Sequence, residues 1–297
     1  MDLLDKMATF VRVIEAGSFS AAAKQLRISP GAVSRQIATL EGDVRAELIV
    51  RSTRRMTITS AGRRYYERCL RILRDVEDAG RVGRGDGVDG PLQVSASVTF
   101  GLARVVPHLH TLVARYPDLR LDLRLDDRLL DLALEGVDVA IRVGSAPPDS
   151  ADVVASPLMS FRRVLVASPA YLKRKGEPKT PEALAKHDAL AHLGSAAPDI
   201  WILRDGEREA RVRVNIIFRC NALHALRELA IQGAAIALLP DWLVTDELKR
   251  RRLRPVLNGW RTDAVPVHAL FRTEHRGSRR VRALVDHLRR ELARDAE

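Results

Sequence analysis

Ser29, Pro30, Gly31, Ser34, Arg35 and Gln36 crowd into eight positions of the chain. Arginine can pair through two N–H groups with guanine, glutamine can pair with adenine, and serine serves base or phosphate, so the set suits the major groove of DNA. A second group, Arg51-Ser52-Thr53-Arg54-Arg55, puts three cations and two hydroxyls into one short stretch. That chemistry suits phosphates and the minor groove. The alternative is a small helical bundle whose polar surface has no partner, and the two readings separate on the elements that carry these residues.

Those elements are legible. Leu3, Leu4, Met7, Phe10, Val11 and Ile14 recur at three and four residues, the spacing of an amphipathic helix, and Gly17 ends it. Ser18 offers an N-cap to a second helix, Phe19 to Leu26, built on Ala21-Ala22-Ala23, whose small side chains let another helix approach. A short turn through Arg27 and Ile28 reaches Ser29-Pro30, an N-cap followed by proline at the first helical position. The third helix turns Val33, Ile37 and Leu40 inward and leaves the Ser-Arg-Gln group near its exposed N-terminal half. Leu48-Ile49-Val50 and Met56-Thr57-Ile58 flank the basic stretch as two strands of a wing. Helix, tight turn, recognition helix and basic wing, in this order, favour DNA binding over residues 1–64.

Charge agrees once it is localised. The 297 residues carry 49 Lys+Arg against 38 Asp+Glu, a formal net charge of +11. Residues 1–64 hold eleven basic and six acidic residues, a net +5 in about a fifth of the chain. Downstream basic groups, such as Lys249-Arg250-Arg251-Arg252, close an apparent helix and suit its dipole. Other classes fit poorly. Cys69 and Cys220 are too few for a disulfide scaffold or a metal cluster, and the longest apolar run, Gly233 to Leu239, is too short for a bilayer. The first residues lack the basic-then-apolar order of a signal peptide, so a cytoplasmic protein with no membrane partner is expected. No phosphate-binding loop, nucleophile elbow or paired metal ligands occur. The expectation is therefore no enzyme, no catalytic residue, no metal and no cofactor.

From Arg63 to Gly80 the residues Tyr66, Cys69, Leu73, Val76 and Gly80 keep heptad spacing, which suits pairing with a second helix or packing on the chain's own domain. Cys69 reads as a packed apolar residue rather than a redox switch. The glycine-rich run Gly80 to Pro91 is a hinge, which makes 65–90 a linker helix and hinge. Residues 91–297 alternate strand and helix signals, as an α/β domain does. They include a helix from Gly101 to Arg115, a hairpin around Asp205-Gly206, and caps at Asn221 and Ser278.

Taken together, Ala16-Gly17-Ser18-Phe19-Ser20-Ala21-Ala22-Ala23, Leu26 through Ile37, Leu40-Glu41 and Thr59-Ser60-Ala61-Gly62 resemble the LysR-type transcriptional regulators. Gly90 to Val94, Gly136 to Gly144, Ala167 to Leu172 and Gly233 to Pro240 extend the resemblance into the second half. It implies an α/β protein: a winged helix-turn-helix, a linker helix, and a two-lobed, periplasmic-binding-protein-like effector domain. Lobe I would cover about 91–166 and 266–297, lobe II about 167–265. The implied partners are double-stranded promoter or operator DNA, a small-molecule effector and further copies of the chain, as homodimer or homotetramer. RNA polymerase is a further partner that the resemblance admits.

Residue by residue, the resemblance makes Ser97, Val98, Thr99, Arg142, Val143, Asn221 and Ala222 face the effector. Helix N-termini at the first and last groups, with Arg142 as counter-charge, suit an anionic effector. Two departures stand out: Arg45 and Ala235 occupy positions where the family usually has glycine. Arg45 bears on the turn after the recognition helix, and Ala235 on the width of the cleft. The rival function is a solute-binding protein of the periplasmic-binding type without catalytic activity, for which residues 1–64 would have no use.

Overall fold

A computed structural model describes residues 2–51, 56–81, 87–128, 131–146, 152–194 and 197–295. By contact the chain divides into two units: Met1–Gly87 with Leu129–Val137, and Val88–Arg128 with Asp138–Glu297.

In the first unit, short polar side chains set where each helix begins. α1 (Leu3–Ala16) starts on a capping box between Asp2 and Asp5 and ends at Gly17, whose φ is 69°. Ser18 accepts the Ala21 N–H at 3.1 Å and starts α2 (Phe19–Leu26). Ser29 accepts the Ala32 N–H at 3.2 Å and, with Pro30 behind it, starts α3 (Pro30–Val44). Phe10, Ala22, Val33, Ile37 and Leu40 are buried at their mutual contact. β1 (Ile49–Arg51) and β2 (Met56–Ile58) pair antiparallel, with Ile49 opposite Ile58. This is the expected helix-turn-helix with a two-stranded wing. Its basic tip, Ser52 to Arg55, lies outside the described residues.

α4 (Ser60–Arg81) follows directly. Cys69 is fully buried in the same core, with Tyr65, Leu70 and Leu73 packed around it. Burial pushes its thiol up to about 11, so it stays protonated and inert. The heptad residues Cys69 and Leu73 therefore serve this chain's own core, whereas Ile72 and Val76 remain exposed one turn apart. Arg71 donates to the Ala133 carbonyl, which ties α4 to the 131–137 stretch of the same unit.

The second unit contains two five-stranded sheets of one plan. β3 (Gly90–Ala96) lies between parallel neighbours β4 (Leu119–Leu125) and β5 (Val139–Val143). Between β3 and β4 runs a continuous helix: α5 (Val98–Phe100), a π-turn over Gly101–Val105, and α6 (Val106–Arg115). β6 (Val153–Phe161) completes the edge of this sheet. The chain leaves at Arg162, earlier than the Val166–Ala167 crossover that the sequence suggests, because β7 (Arg163–Ala167) is already paired in the other sheet.

There, Ser168 caps α7 (Pro169–Lys175), and β8 (Asp188–His192) is followed by the expected hairpin, β9 (Ile200–Asp205) and β10 (Arg208–Arg213). β11 (Asn215–Cys220) and β12 (Ile236–Pro240) both run parallel to β8. α8 (Leu223–Ile231) connects them, α9 (Asp241–Lys249) follows, and β13 (Arg254–Pro255) lies on the far edge. β14 (Val265–Arg272) returns to the first sheet between β5 and β6, and α10 (Arg279–Arg294), capped by Ser278, covers it. Each sheet has its own apolar core, so the unit is two lobes joined by two crossovers.

Two backbone positions after the recognition helix behave oppositely. Arg45 ends α3 in the left-handed region at φ 52°, where a β-carbon is unfavourable. Gly62 has ordinary φ, but a β-carbon there would collide with the Leu48 carbonyl and the Ile58 side chain. We expect Arg45→Gly to stabilise the protein by about 0.5–1 kcal/mol and Gly62→Ala to destabilise it by about 1–3 kcal/mol. Denaturant unfolding of the full chain measures both; opposite signs are the expected result.

Candidate functional site

On the helix-turn-helix, the side chains singled out from the sequence divide by exposure. Ser29, Pro30, Gly31 and Arg35 are exposed, whereas Ser34 and Gln36 are half-buried. The Ser29 hydroxyl is engaged as the cap. The Arg35 guanidinium folds back along the helix toward Gly31, about 3.9 Å from where a β-carbon on Gly31 would sit, an ordinary contact distance. Gln36 accepts the Thr9 hydroxyl at 2.5 Å, which takes one of its two oxygen lone pairs and ties α3 to α1. A glutamine braced this way is less free to pair with adenine than the sequence suggests. The Arg51 side chain and Ser52, Thr53, Arg54 and Arg55 lie outside what is described.

The wing is held by Glu41. Its Oε1 accepts the N–H groups of Leu48 at 2.8 Å and Ile49 at 3.0 Å. Thr59 closes the other side, donating to the Glu47 carbonyl at 2.8 Å and accepting from the Gly62 N–H at 2.8 Å. The recognition helix, wing and linker helix thus share one hydrogen-bonded corner.

In the second unit, a cavity of about 600 Å³ opens between the two lobes. Lobe I contributes Ser97, Val98, Thr99, Asp126, Asp127 and Val143; lobe II contributes Arg163, His192, Asn221 and Trp242. Phe100 and Phe161 also line it, each edge-on to the Trp242 ring, at 5.8 and 5.7 Å between centroids. His192 accepts the Gly194 N–H on Nδ1, so Nε2 carries the proton toward the Asn221 carbonyl at 3.0 Å. Arg128 holds the Asp126 carboxyl below the usual carboxylate range.

A model of the "Bacterial regulatory helix-turn-helix protein, lysR family" matches residues 4–63, and one of the "LysR substrate binding domain" matches residues 85–293. The chain belongs to the LysR-type transcriptional regulator family. It is 36% identical over 302 residues to an HTH-type transcriptional regulator of Xanthomonas campestris pv. campestris, covering 100% of this chain and 87% of that one. CrgA, a LysR-type transcriptional regulator from Neisseria meningitidis, superposes with a TM-score of 0.62 at 30% identity, covering 97% of this chain and 98% of CrgA. The full-length Vibrio cholerae virulence activator AphB gives 0.62 at 26% identity, covering 97% and 98%. The chain is thus a DNA-binding transcription regulator with an effector-binding domain.

For a LysR-type regulator, five of the seven residues carried over by resemblance line the cleft: Ser97, Val98, Thr99, Val143 and Asn221. Arg142 and Ala222 do not. Arg142 donates to Ser95 Oγ at 2.8 Å and to the Ile141 carbonyl, which commits its guanidinium within the sheet. Ala222 is the N-cap of α8, a place the sequence assigns to Asn221, and no side chain caps that helix.

Ala235 is fully buried in the lobe II core and absent from the cleft lining, so its methyl group does not narrow the cavity. The helix N-terminus at Ser97 is also less open than expected, because Asp127 accepts the Val98 N–H at 3.0 Å. His192, which the sequence reads as a surface residue, lines the cleft, and so do Arg163 and the aromatic wall, for which the doublet Arg162-Arg163 at the start of β7 is a weak signal.

If Arg35 reads a base, Arg35→Ala weakens the specific site by about 1–3 kcal/mol and leaves random DNA nearly unchanged. Gel retardation at fixed salt tests this; an equal loss on both DNAs assigns Arg35 to phosphate.

Proposed function

We propose that this LysR-type regulator reads its promoter through Ser29, Pro30, Gly31, Ser34, Arg35 and Gln36 on α3 and through Arg51 to Arg55 on the wing. A small molecule in the interlobe cleft sets the response. The observation that carries the reading is the pairing, in one chain, of an exposed arginine on a capped recognition helix with a two-lobed cavity lined by Ser97, Thr99 and Asn221. Arg142 and Ala222 contribute from behind the cavity wall, and Val98 and Val143 supply its apolar contacts. Residues 1–64 are the reading head, 65–90 the linker and 91–297 the sensor.

The working form is a homodimer or homotetramer, because a helix-turn-helix reads twofold sites as a dimer. Exposed Ile72 and Val76 on α4 support pairing through that helix. Closure of the lobes on the effector favours one arrangement of the copies over another and so changes the spacing or bend of the DNA. RNA polymerase would then be engaged at the promoter. The protein acts in the cytoplasm and catalyses no reaction. Among the described residues, no His, Cys, Asp or Glu cluster suits a metal, and no helix is long and apolar enough to cross a membrane.

Genome-wide mapping of bound DNA supplies the promoter, and the enzymes encoded beside it supply the test molecules. Thr99→Ala is expected to keep promoter retention and lose at least most of the response to those molecules. Unchanged response removes Thr99 from the site, and absence of sequence-selective, salt-sensitive retention in the wild type overturns the regulator's assigned reading head.

A further inference from the structure

Arg163 lines the cleft, and among the described residues no acid pairs with its guanidinium. Its backbone N–H is bound to Thr262 Oγ1 at 3.0 Å, but its guanidinium makes no hydrogen bond or ion pair with any described residue. Its Nε is buried and without an acceptor. Three other arginines of the unit show the usual alternative: Arg142 has Ser95, Arg128 has Asp126, and Arg289 has Asp286. The side chain is half-buried at the cavity wall, and this partial desolvation lowers its pKa. An unpaired guanidinium facing a cavity is free to receive an anion.

We propose that Arg163 selects the charge of the effector, so that the cleft takes a small organic monocarboxylate. The carboxylate would lie on the Arg163 fork and the apolar body against Phe100, Phe161 and Trp242. This rests on reading the cleft as the effector site.

Three observations narrow the class. A planar two-oxygen anion matches the guanidinium fork and accepts two parallel N–H groups. Asp126 and Asp127 line the same cavity, so a dianion such as a phosphate ester would meet two like charges. The helix start that would otherwise attract an anion has its Val98 N–H engaged by Asp127, and the other lining arginine, Arg128, is ion-paired with Asp126, which leaves the ligand's charge to Arg163. The Trp242 Nε1 is likewise buried without an acceptor, and the aromatic faces around it suit an apolar, preferably flat, body.

The test uses matched pairs that differ only in charge: benzoate against benzamide, and hexanoate against hexanamide, with the full-length protein. Calorimetry and thermal melting should show the acids binding the wild type more tightly than the amides by about tenfold or more. Arg163→Met should abolish the preference, and Arg163→Lys, which keeps the charge without the fork, should retain part of it. Without ligand, Arg163→Met should melt no lower than the wild type, because the half-buried guanidinium has no described partner to lose. Equal binding of acids and amides, no binding of either, or a preference that survives Arg163→Met overturns the proposal. Promoter retention is measured on the same variants. Its loss in the wild type counts against the DNA-reading assignment, whereas intact retention with no acid preference counts against Arg163 alone.

Discussion

The first unit depends on a carboxylate turned inward. Glu41 leaves the recognition helix one turn before its end and accepts the N–H groups of Leu48 and Ile49, which begin the wing. Two consecutive backbone donors at a chain reversal have no ladder partner of their own, and leaving them unpaired costs about 1–3 kcal/mol each. One charged acceptor satisfies both and fixes where the wing stands relative to α3. From the other side Thr59 takes the Glu47 carbonyl and caps α4 at Gly62, whose missing β-carbon lets the Leu48 carbonyl sit against the helix. A helix-turn-helix that reads DNA by geometry needs its wing at a set distance from its recognition helix. Here that distance is set by two side chains, Glu41 and Thr59, and the absence of a third at Gly62.

The second unit solves a different problem. Each lobe has a sheet in which parallel strands meet an antiparallel strand brought in by the crossover, β14 in one lobe and β7 in the other. Each lobe closes its own core, so the space between them is not required for folding. Groups can therefore be left there incompletely satisfied. Arg163 and Trp242 both have buried nitrogens without acceptors, and both line that space. Elsewhere in the unit, Ser95 and His187 have partners, and Arg104 and Arg227, whose Nε atoms are buried without acceptors, still ion-pair through their outer nitrogens.

Most local structure was legible because it is written in short-range chemistry. Ser18, Ser29 and Ser278 cap the helices that their spacing to apolar runs announces, and Gly17 takes the positive φ that ends α1. The hairpin at Asp205-Gly206 and the two wing strands followed from alternation and turn residues. The sites were harder, since what a side chain touches is settled by residues far away in sequence. Gln36 reads as a free base contact, but Thr9, 27 positions earlier, holds one of its oxygen lone pairs and braces it. Arg142 reads as a ligand cation until Ser95 takes its guanidinium. Asn221 looks like a cap, but the helix begins a residue later and leaves its side chain to the cavity. Cys69 and Leu73 keep heptad spacing, yet face Phe10 and Tyr65 of the same chain, because an inward helical stripe looks the same whichever helix meets it.

Arg45 and Ala235 show that a departure from a family's pattern has to be weighed by its backbone and its neighbours. Arg45 keeps the left-handed turn that glycine would adopt freely, so the shape is retained and the difference is energetic. Ala235 is filled in from the core side, where a methyl group adds packing and leaves the cleft untouched. The same reasoning separates Arg163 from the many other arginines in a strongly basic chain. A net charge of +11 says little about function when most cations are exposed or paired with an acid. The informative cation is one half-buried at a cavity wall with no acid paired to it among the described residues, because folding alone gives little reason to place it there.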